Sequence, residues 1–435
     1  MRIPISRLIF YALPAIPLAA LTLPLYIIVP TFYAEVLGLP LAVVGTALLA
    51  VRLFDAVTDP LVGWTADRWH PSLGRRRAMM LCSLPLTALA VIMLFWPPVD
   101  AGPAYLVTWG AALSLGYTMA IIPLTSWGAE MAGDYKERSR VAGFREGFTL
   151  VGTLIAIALP FAIGMDSAEG MHGLAVLGIV VATLLLLFGG LTVWRVSEPR
   201  EHSRTRLTLG AGLQHMARNK PFLRLIAAFL INGLANGIPA TLFLYFVSDR
   251  LGMPDMRGPL LFAYFLAGIA GMPLAMAAAR RFGKHRAWCV AMLFTCSVFA
   301  FAPLIGQGNW LAFGALAVAT GLTLGFDLAL PAAIQADVID VDTASSGEQR
   351  SALYFAAWSL ATKLSLALAV GIAFPLLAVF GFVAGGQNDA TALTALAVIY
   401  AWVPITLKLG ASGLMWNFPL DETAQGDLRT KIEAA

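Results

Sequence analysis

Windows of about twenty apolar residues, each closed by a short polar run, recur along the chain. They predict helices over 7–33, 41–66, 78–97, 103–130, 140–164, 172–194, 221–248, 258–279, 287–306, 309–335, 351–382 and 391–416. A stretch of about twenty residues at 1.5 Å each crosses the ~30 Å hydrocarbon layer of a bilayer. The pattern therefore gives twelve spans, six on either side of one long polar run at 195–220. An even count puts both termini on one side. The opening residues lack the charged, short-apolar, small-residue form of a cleaved signal, so the first helix is expected to stay.

Composition agrees with the pattern. Of 435 residues 59% are hydrophobic and only 12% charged, against about 25% charged in soluble domains; mean hydropathy is +0.78. Positive charge gathers in the loops on the side of the termini, at Arg2, Arg7, Arg68, Arg75, Arg76, Arg77, Lys136, Arg138 and Arg140, again through 195–224, and at Arg280, Arg281, Lys284, Arg286 and Arg350. The opposite loops show Arg250 and Arg257. The positive-inside rule then makes both termini cytoplasmic, and the formal charge of +4 reports topology rather than nucleic-acid binding. Cys82, Cys289 and Cys296 fall inside spans and imply no disulfide framework. The histidines, His70, His172, His202, His215 and His285, fall in loops or the polar run, which leaves an intramembrane metal hydrolase without ligands. No phosphate-cradling Gly-x4-Gly-Lys-Ser/Thr loop supports a primary pump. The pattern predicts no enzyme, no cofactor and no nucleic-acid partner.

Two acids stand against this apolar background. Asp55 and Asp59 lie four residues apart within the second span and so share one helix face. A carboxylate in hydrocarbon costs several kcal/mol unless it meets a cavity, a partner or a cation. The spacing points to ion-coupled movement of a solute; the alternative is a purely structural pairing with Arg52, Arg145 or Lys363.

The halves of the chain echo each other. Ile122-Pro123, Ala129-Glu130, Asp134 and Glu137-Arg138-Ser139 reappear as Leu330-Pro331, Ala336-Asp337, Asp340 and Glu348-Gln349-Arg350-Ser351, at an offset of about 207. Gly63 through Asp67-Arg68 to Gly74-Arg75-Arg76-Arg77 is answered by Ala279-Arg280-Arg281-Phe282-Gly283-Lys284-His285-Arg286. Two six-span repeats about an axis along the membrane normal are the architecture of the major facilitator superfamily. The expected fold is all-α, with twelve transmembrane helices in two six-helix bundles: an N-terminal bundle over 1–199 with the cation site, a cytoplasmic linker over 200–220 and a C-terminal bundle over 221–435.

Gly63-x3-Asp67-Arg68 followed by Gly74-Arg75-Arg76-Arg77 resembles the signature between spans two and three of that superfamily, a gating element rather than a substrate selector. Within it the chain resembles the glycoside–pentoside–hexuronide:cation symporters, the melibiose-permease-like family. The segments carrying this are Tyr33-Ala-Glu-Val-Leu-Gly38-Leu39 into Gly45; Arg52-Leu-Phe-Asp55-Ala-Val-Thr58-Asp59-Pro60; Tyr117-Thr118 through Ile122-Pro123 to Glu137-Arg138 and Arg145; and Ala336-Asp337 through Asp340, Gly347 and Arg350 to Lys363.

The resemblance implies a cation site at Asp55 and Asp59 with Thr58 and Thr118. Thr58 stands where sodium-using members often have Asn, and Na+ and H+ both remain open as coupling ion. Lys363 matches an intramembrane lysine and Arg145, beside Glu146, a substrate-contacting or gating arginine. Asp327 is a further buried acid, read as a substrate ligand or as a partner of Lys363 or Lys408. Ala19 and Ile121 replace the two sugar-gripping acids of melibiose-type members, and Leu18 replaces a lysine. The substrate set left is Tyr26, Tyr117, Trp127, Arg145, Asn232, Asn236, Asp327, Trp358 and Lys363; the gating set is Asp67, Arg68, Arg75, Arg76 and Arg77. The function implied is cation-coupled symport of a small solute, sugar-like or anionic and amphipathic. Symport of a lysolipid and a non-transporting lipid-binding receptor are the alternatives. The protein is expected as a monomer in the bacterial inner membrane. Pro14, Pro17, Pro24 and Pro30 predict a kinked gating helix as the first span.

Overall fold

The computed structural model describes residues 3–23, 29, 32–33, 37–39, 41–132, 135–162, 170–198, 208–348, 350–382 and 388–434. Among the described residues the chain is helical and holds no strand. The helices are α1 (Ile5–Ala12), α2 (Ala15–Leu23), α3 (Leu41–Arg68), α4 (Arg75–Phe95), α5 (Pro103–Met131), α6 (Tyr135–Ala162), α7 (Gly170–Arg195), α8 (Leu209–Arg218), α9 (Lys220–Tyr245), α10 (Arg257–Phe282), α11 (Lys284–Phe299), α12 (Trp310–Ser346), α13 (Ser351–Val379), α14 (Ala390–Met415) and α15 (Glu422–Ala434).

Ten stretches among them are long and apolar enough to cross a membrane. Helices α3 and α6 fill two further expected positions with 28 residues each. Helix α3 carries Asp55 and Asp59, and α6 carries Arg145 and Glu146. Most long helices contain an internal proline, among them Pro60, Pro123, Pro331 and Pro375. Neighbouring helices and local adjustments re-satisfy the freed carbonyls in such a setting.

Several expectations are corrected. The first span, expected as a helix kinked at its prolines, is interrupted at Leu13-Pro14 between α1 and α2, where Pro14 has no N–H to give, while Pro24 and Pro30 lie outside the described residues. Arg75, Arg76 and Arg77 are not loop residues but the first turn of α4. The span expected to end at 335 continues to Ser346, because Asp337 and Asp342 find Lys284 and Arg350 as partners. The polar run contains a helix, α8. His215 lies in α8 and His285 in α11, so neither is a loop histidine.

The sequence echo is visible in the backbone. Gly74 (φ 101°) precedes α4 and Gly283 (φ 83°) precedes α11, each in the same positive-φ conformation at the same place in its half. A side chain there would be strained, so glycine starts both helices.

The chain divides into two compact units. One is Met1–Gly212 with Asp342–Leu360, and the other is Leu213–Val341 with Ala361–Ala435. In the first, α4 packs on α5 and α7, α3 on α5, and α2 on α6. Its interior is apolar, built from residues such as Leu94, Phe95, Leu113 and Leu177. In the second, α9 and α11 pack on α14, around stacked Phe246, Phe313, Tyr400 and Phe299.

Candidate functional site

Asp55 and Asp59 face inward from the middle of α3, 1% and 0% exposed. Helix α5 lies against this face and presents Ser114 and Thr118, also four residues apart. Two acids one turn apart thus meet two hydroxyls one turn apart, in register. Ser114 Oγ donates to Asp55 Oδ1, and Thr118 Oγ1 donates to Asp59 Oδ1 at 2.9 Å. Ser359, near the start of α13 and still in the first unit, donates to Asp59 Oδ2 at 3.2 Å.

The result is a buried cluster of two carboxylates and three hydroxyls from three helices. A donating hydroxyl keeps oxygen lone pairs, and hard cations take such oxygens as ligands. The same pair of neighbouring acids could hold a proton, since a like charge nearby favours the neutral form of one. Thr58 is placed differently: its hydroxyl donates to its own helix at Phe54 O, 3.0 Å away, and the structure does not bring it to either acid. Ser114 and Ser359 are candidate site residues that sequence reasoning missed. Ser114 had a signal, because Ser-x3-Thr repeats the Asp-x3-Asp spacing; Ser359, 300 positions from Asp59, had none.

A second polar centre ties helix ends together in the same unit. Arg76, fully buried, donates to Asp67 Oδ1 at 2.6 Å, to Glu130 Oε1 at 2.5 Å and to Ala66 O at 2.8 Å. Arg75 adds a bond to Glu130 at 3.0 Å. Asp67 in turn accepts the backbone N–H groups of Ala352 (3.1 Å) and Leu353 (2.9 Å). Those amides belong to the first turn of α13, which lacks intrahelical acceptors and carries the positive end of the helix dipole. Asp67 is therefore a cap for α13, and Arg76 caps the last turn of α3. Glu198 plays the same part for α4, accepting from Arg76 N at 3.1 Å and Arg77 N at 3.4 Å. Arg77 also donates to Val193 O at 2.7 Å, and Arg68 stacks over Trp64 at 5.0 Å. Gly63 permits the close approach: a Cβ there would lie 2.7 Å from the Ala356 Cβ.

The second unit repeats the charge pairing. Lys284, at the start of α11, bonds Asp337 Oδ2 at 2.6 Å, and both are sealed from solvent at 0% and 1%. The positions correspond to Arg75 and Glu130 in the first half, which are likewise paired. The repeat is thus one of interactions as well as of letters.

The remaining residues fall in separate places. Arg145 closes on Glu146, with Nε donating at 3.0 Å, next to Tyr11. Trp127 is fully buried and donates to Ser197 O at 3.4 Å. Tyr117 and Trp358 are half-buried in the first unit. Lys363 is half-buried on the part of α13 that belongs to the second unit. Asp327, Asn232 and Asn236 come together around Lys408, with Lys408 Nζ 3.0 Å from Asp327 Oδ2. Tyr26 and the Arg52 side chain lie outside the described residues. Among the described residues no cluster of His, Cys, Asp and Glu is suited to a bound metal ion.

Comparison with known proteins joins these observations. The family model for MFS/sugar transport proteins matches residues 10–422. A glucuronide carrier protein homolog of Escherichia coli is 24% identical, with the match covering 93% of this chain and 90% of the relative. The human sodium-dependent lysophosphatidylcholine symporter 1 is 23% identical over 89% of this chain and 78% of its own. In fold, the chain is similar to the E. coli fucose:proton symporter, with TM-score 0.66 and 13% identity, covering 94% of this chain and 98% of the other.

Proposed function

We propose, for a chain that belongs to the MFS/sugar transport protein family, that it is a cation-coupled symporter of a glycoside-like solute working by alternating access. It is an integral multi-pass membrane transporter and not an enzyme. The observation that carries the coupling is the register of Asp55 and Asp59 against Ser114 and Thr118. A cation binding among these oxygens offsets the cost of two adjacent buried acids, which gives the site a reason to exist in a membrane. The number of hydroxyl oxygens favours Na+, and H+ is the other outcome of the test.

Within the first unit, substrate contacts are proposed at Tyr117 and Trp358; within the second, Lys363 is proposed to serve an anionic group such as a uronate. Similarity to a glucuronide carrier homolog supports a sugar acid. Ala19 and Ile121 in place of gripping acids, together with similarity to a lysophosphatidylcholine symporter, support an amphipathic solute as the second reading. The distribution of arginine and lysine supports cytoplasmic termini, and we place the chain, as a monomer, in a bacterial inner membrane.

The test is transport of p-nitrophenyl β-D-glucuronide and of lysophosphatidylcholine into proteoliposomes with a Na+ or a H+ gradient imposed alone. Asp55→Asn and Asp59→Asn should lose accumulation yet keep exchange down a gradient. Concentrative uptake by both variants at the wild-type level would refute the coupling.

A further inference from the structure

The second unit holds two buried Lys–Asp pairs that differ in kind. Lys284–Asp337 lies at a helix start and is sealed, at 0% and 1% exposure. Lys408–Asp327 lies in mid-helix, eighteenth of the 37 residues of α12 in the case of Asp327, and keeps 5% and 9% exposure. A mid-membrane charge with an open edge is not stable against lipid, so that edge requires water or a polar ligand.

The neighbours of the pair are polar on several sides. Trp288 Nε1 donates to Asp327 Oδ1 at 2.7 Å, and Asn236 Nδ2 donates to Asp327 Oδ2 at 3.0 Å. Lys408 Nζ donates to Asp327 Oδ2 at 3.0 Å and to Asn232 Oδ1 at 2.8 Å. These bonds leave capacity of both signs. An ammonium has three N–H donors and two are used here; a carboxylate accepts about four bonds and three are used. Asn232 engages through its carbonyl, which leaves its amide to donate. Asn236 engages through its amide, which leaves its carbonyl to accept.

We infer that Asp327, Lys408, Asn232 and Asn236 form a binding subsite in the second unit for adjacent hydroxyls of a polyhydroxylated solute. A hydroxyl both donates and accepts, so a vicinal diol matches donors and acceptors set side by side. An apolar chain would leave them unanswered, and a lone anion would meet Asp327. Trp288, fully buried, holds the carboxylate in orientation and touches no solute. The inference rests on the glycoside reading of the function and adds to it the site at which sugar hydroxyls are read.

The test is equilibrium binding of methyl β-D-glucoside and p-nitrophenyl β-D-glucuronide, each with its 2,3-dideoxy analogue, to the purified full chain. Wild-type protein should prefer a parent glycoside to its dideoxy analogue by roughly tenfold or more, as expected for hydrogen bonds to charged groups. The variant Asp327→Asn/Lys408→Met strands no charge and should weaken the parent glycoside by a similar factor while leaving the analogue little changed. That loss of discrimination is a readout that a merely structural pair would not move. Asn236→Ala, at a half-buried position, should act in the same direction and decides the matter if the double variant does not fold. Wild-type affinity and discrimination in a folded variant would overturn the inference and leave the glycoside reading standing. Wild-type protein that binds neither glycoside would overturn both.

Discussion

The hydroxyls around Asp55 and Asp59 are unequal, and single substitutions should reveal it. Ser114 donates to Asp55, whereas Thr58 donates to the Phe54 carbonyl of its own helix. Ser114→Ala should therefore lower apparent cation affinity by roughly tenfold or more, the scale of a lost hydrogen bond to a charged group, and Thr58→Ala should leave it nearly unchanged. Cation-dependent stabilisation of the purified protein measures this, because an ion that binds the folded state raises its apparent stability. Equal effects of the two substitutions would contradict the geometry. The acids were legible in the sequence because a helix turns a four-residue spacing into a shared face. Ser359 was not, because nothing in its own neighbourhood reports that a segment 300 residues away will supply its acceptor. Thr58 shows the converse: proximity in sequence to two acids is not proximity in space, since its place in the turn points it along the helix instead.

At the scale of elements, the positions of the long helices were legible and their ends were not. Apolar windows report where a helix must be buried in lipid, but an end is set by capping, and the caps come from distant segments. Arg75 to Arg77 read as a charged loop because three arginines look too costly for a buried turn. Glu130, Asp67 and Glu198 offset that cost, and α4 starts three residues early. The same logic makes the network fragile. Asp67→Ala removes at once one of the two carboxylates that hold Arg76 and the cap of α13. It should destabilise the protein by about 3–5 kcal/mol, as removal of one member of a buried pair does. The amide protons of Ala352 and Leu353 should exchange faster, which hydrogen-exchange mass spectrometry of the peptide containing them would detect; unchanged protection would refute the capping role. Lys284→Met in the second unit should cost a similar amount, and Lys284→Met/Asp337→Leu distinctly less, because the double variant leaves no charge stranded. A melting temperature for the double variant no higher than that of the single would show that more than this pair is at stake.

Across the whole molecule the expected intramembrane charges, Arg52, Asp55, Asp59, Arg145, Glu146, Asp327, Lys363 and Lys408, sum to zero. The structure sorts them. Arg145 closes on Glu146 and Lys408 on Asp327, each pair neutral within its own unit. Asp55 and Asp59 carry the proposed cation site and Lys363 the proposed contact to an anionic group, so these are the charges that an arriving ion and an anionic solute would meet. A cation offsets one acid, and a solute carboxylate offsets the lysine, so the fully loaded carrier is closer to neutral than either singly loaded form. Ion and solute should therefore bind cooperatively, each raising the affinity of the other by the same factor, as linkage requires. For p-nitrophenyl β-D-glucuronide that factor should fall in the range of about 5–150 typical of such coupling, and it should shrink towards one in Lys363→Ala. The neutral methyl β-D-glucoside should show the smaller coupling in the wild type and lose little in the variant. Titrating each ligand at fixed concentrations of the other measures both sides of the cycle. If Lys363→Ala leaves the glucuronide coupling intact, charge balance is not what joins the two ligands, and the lysine has a structural part in its own unit.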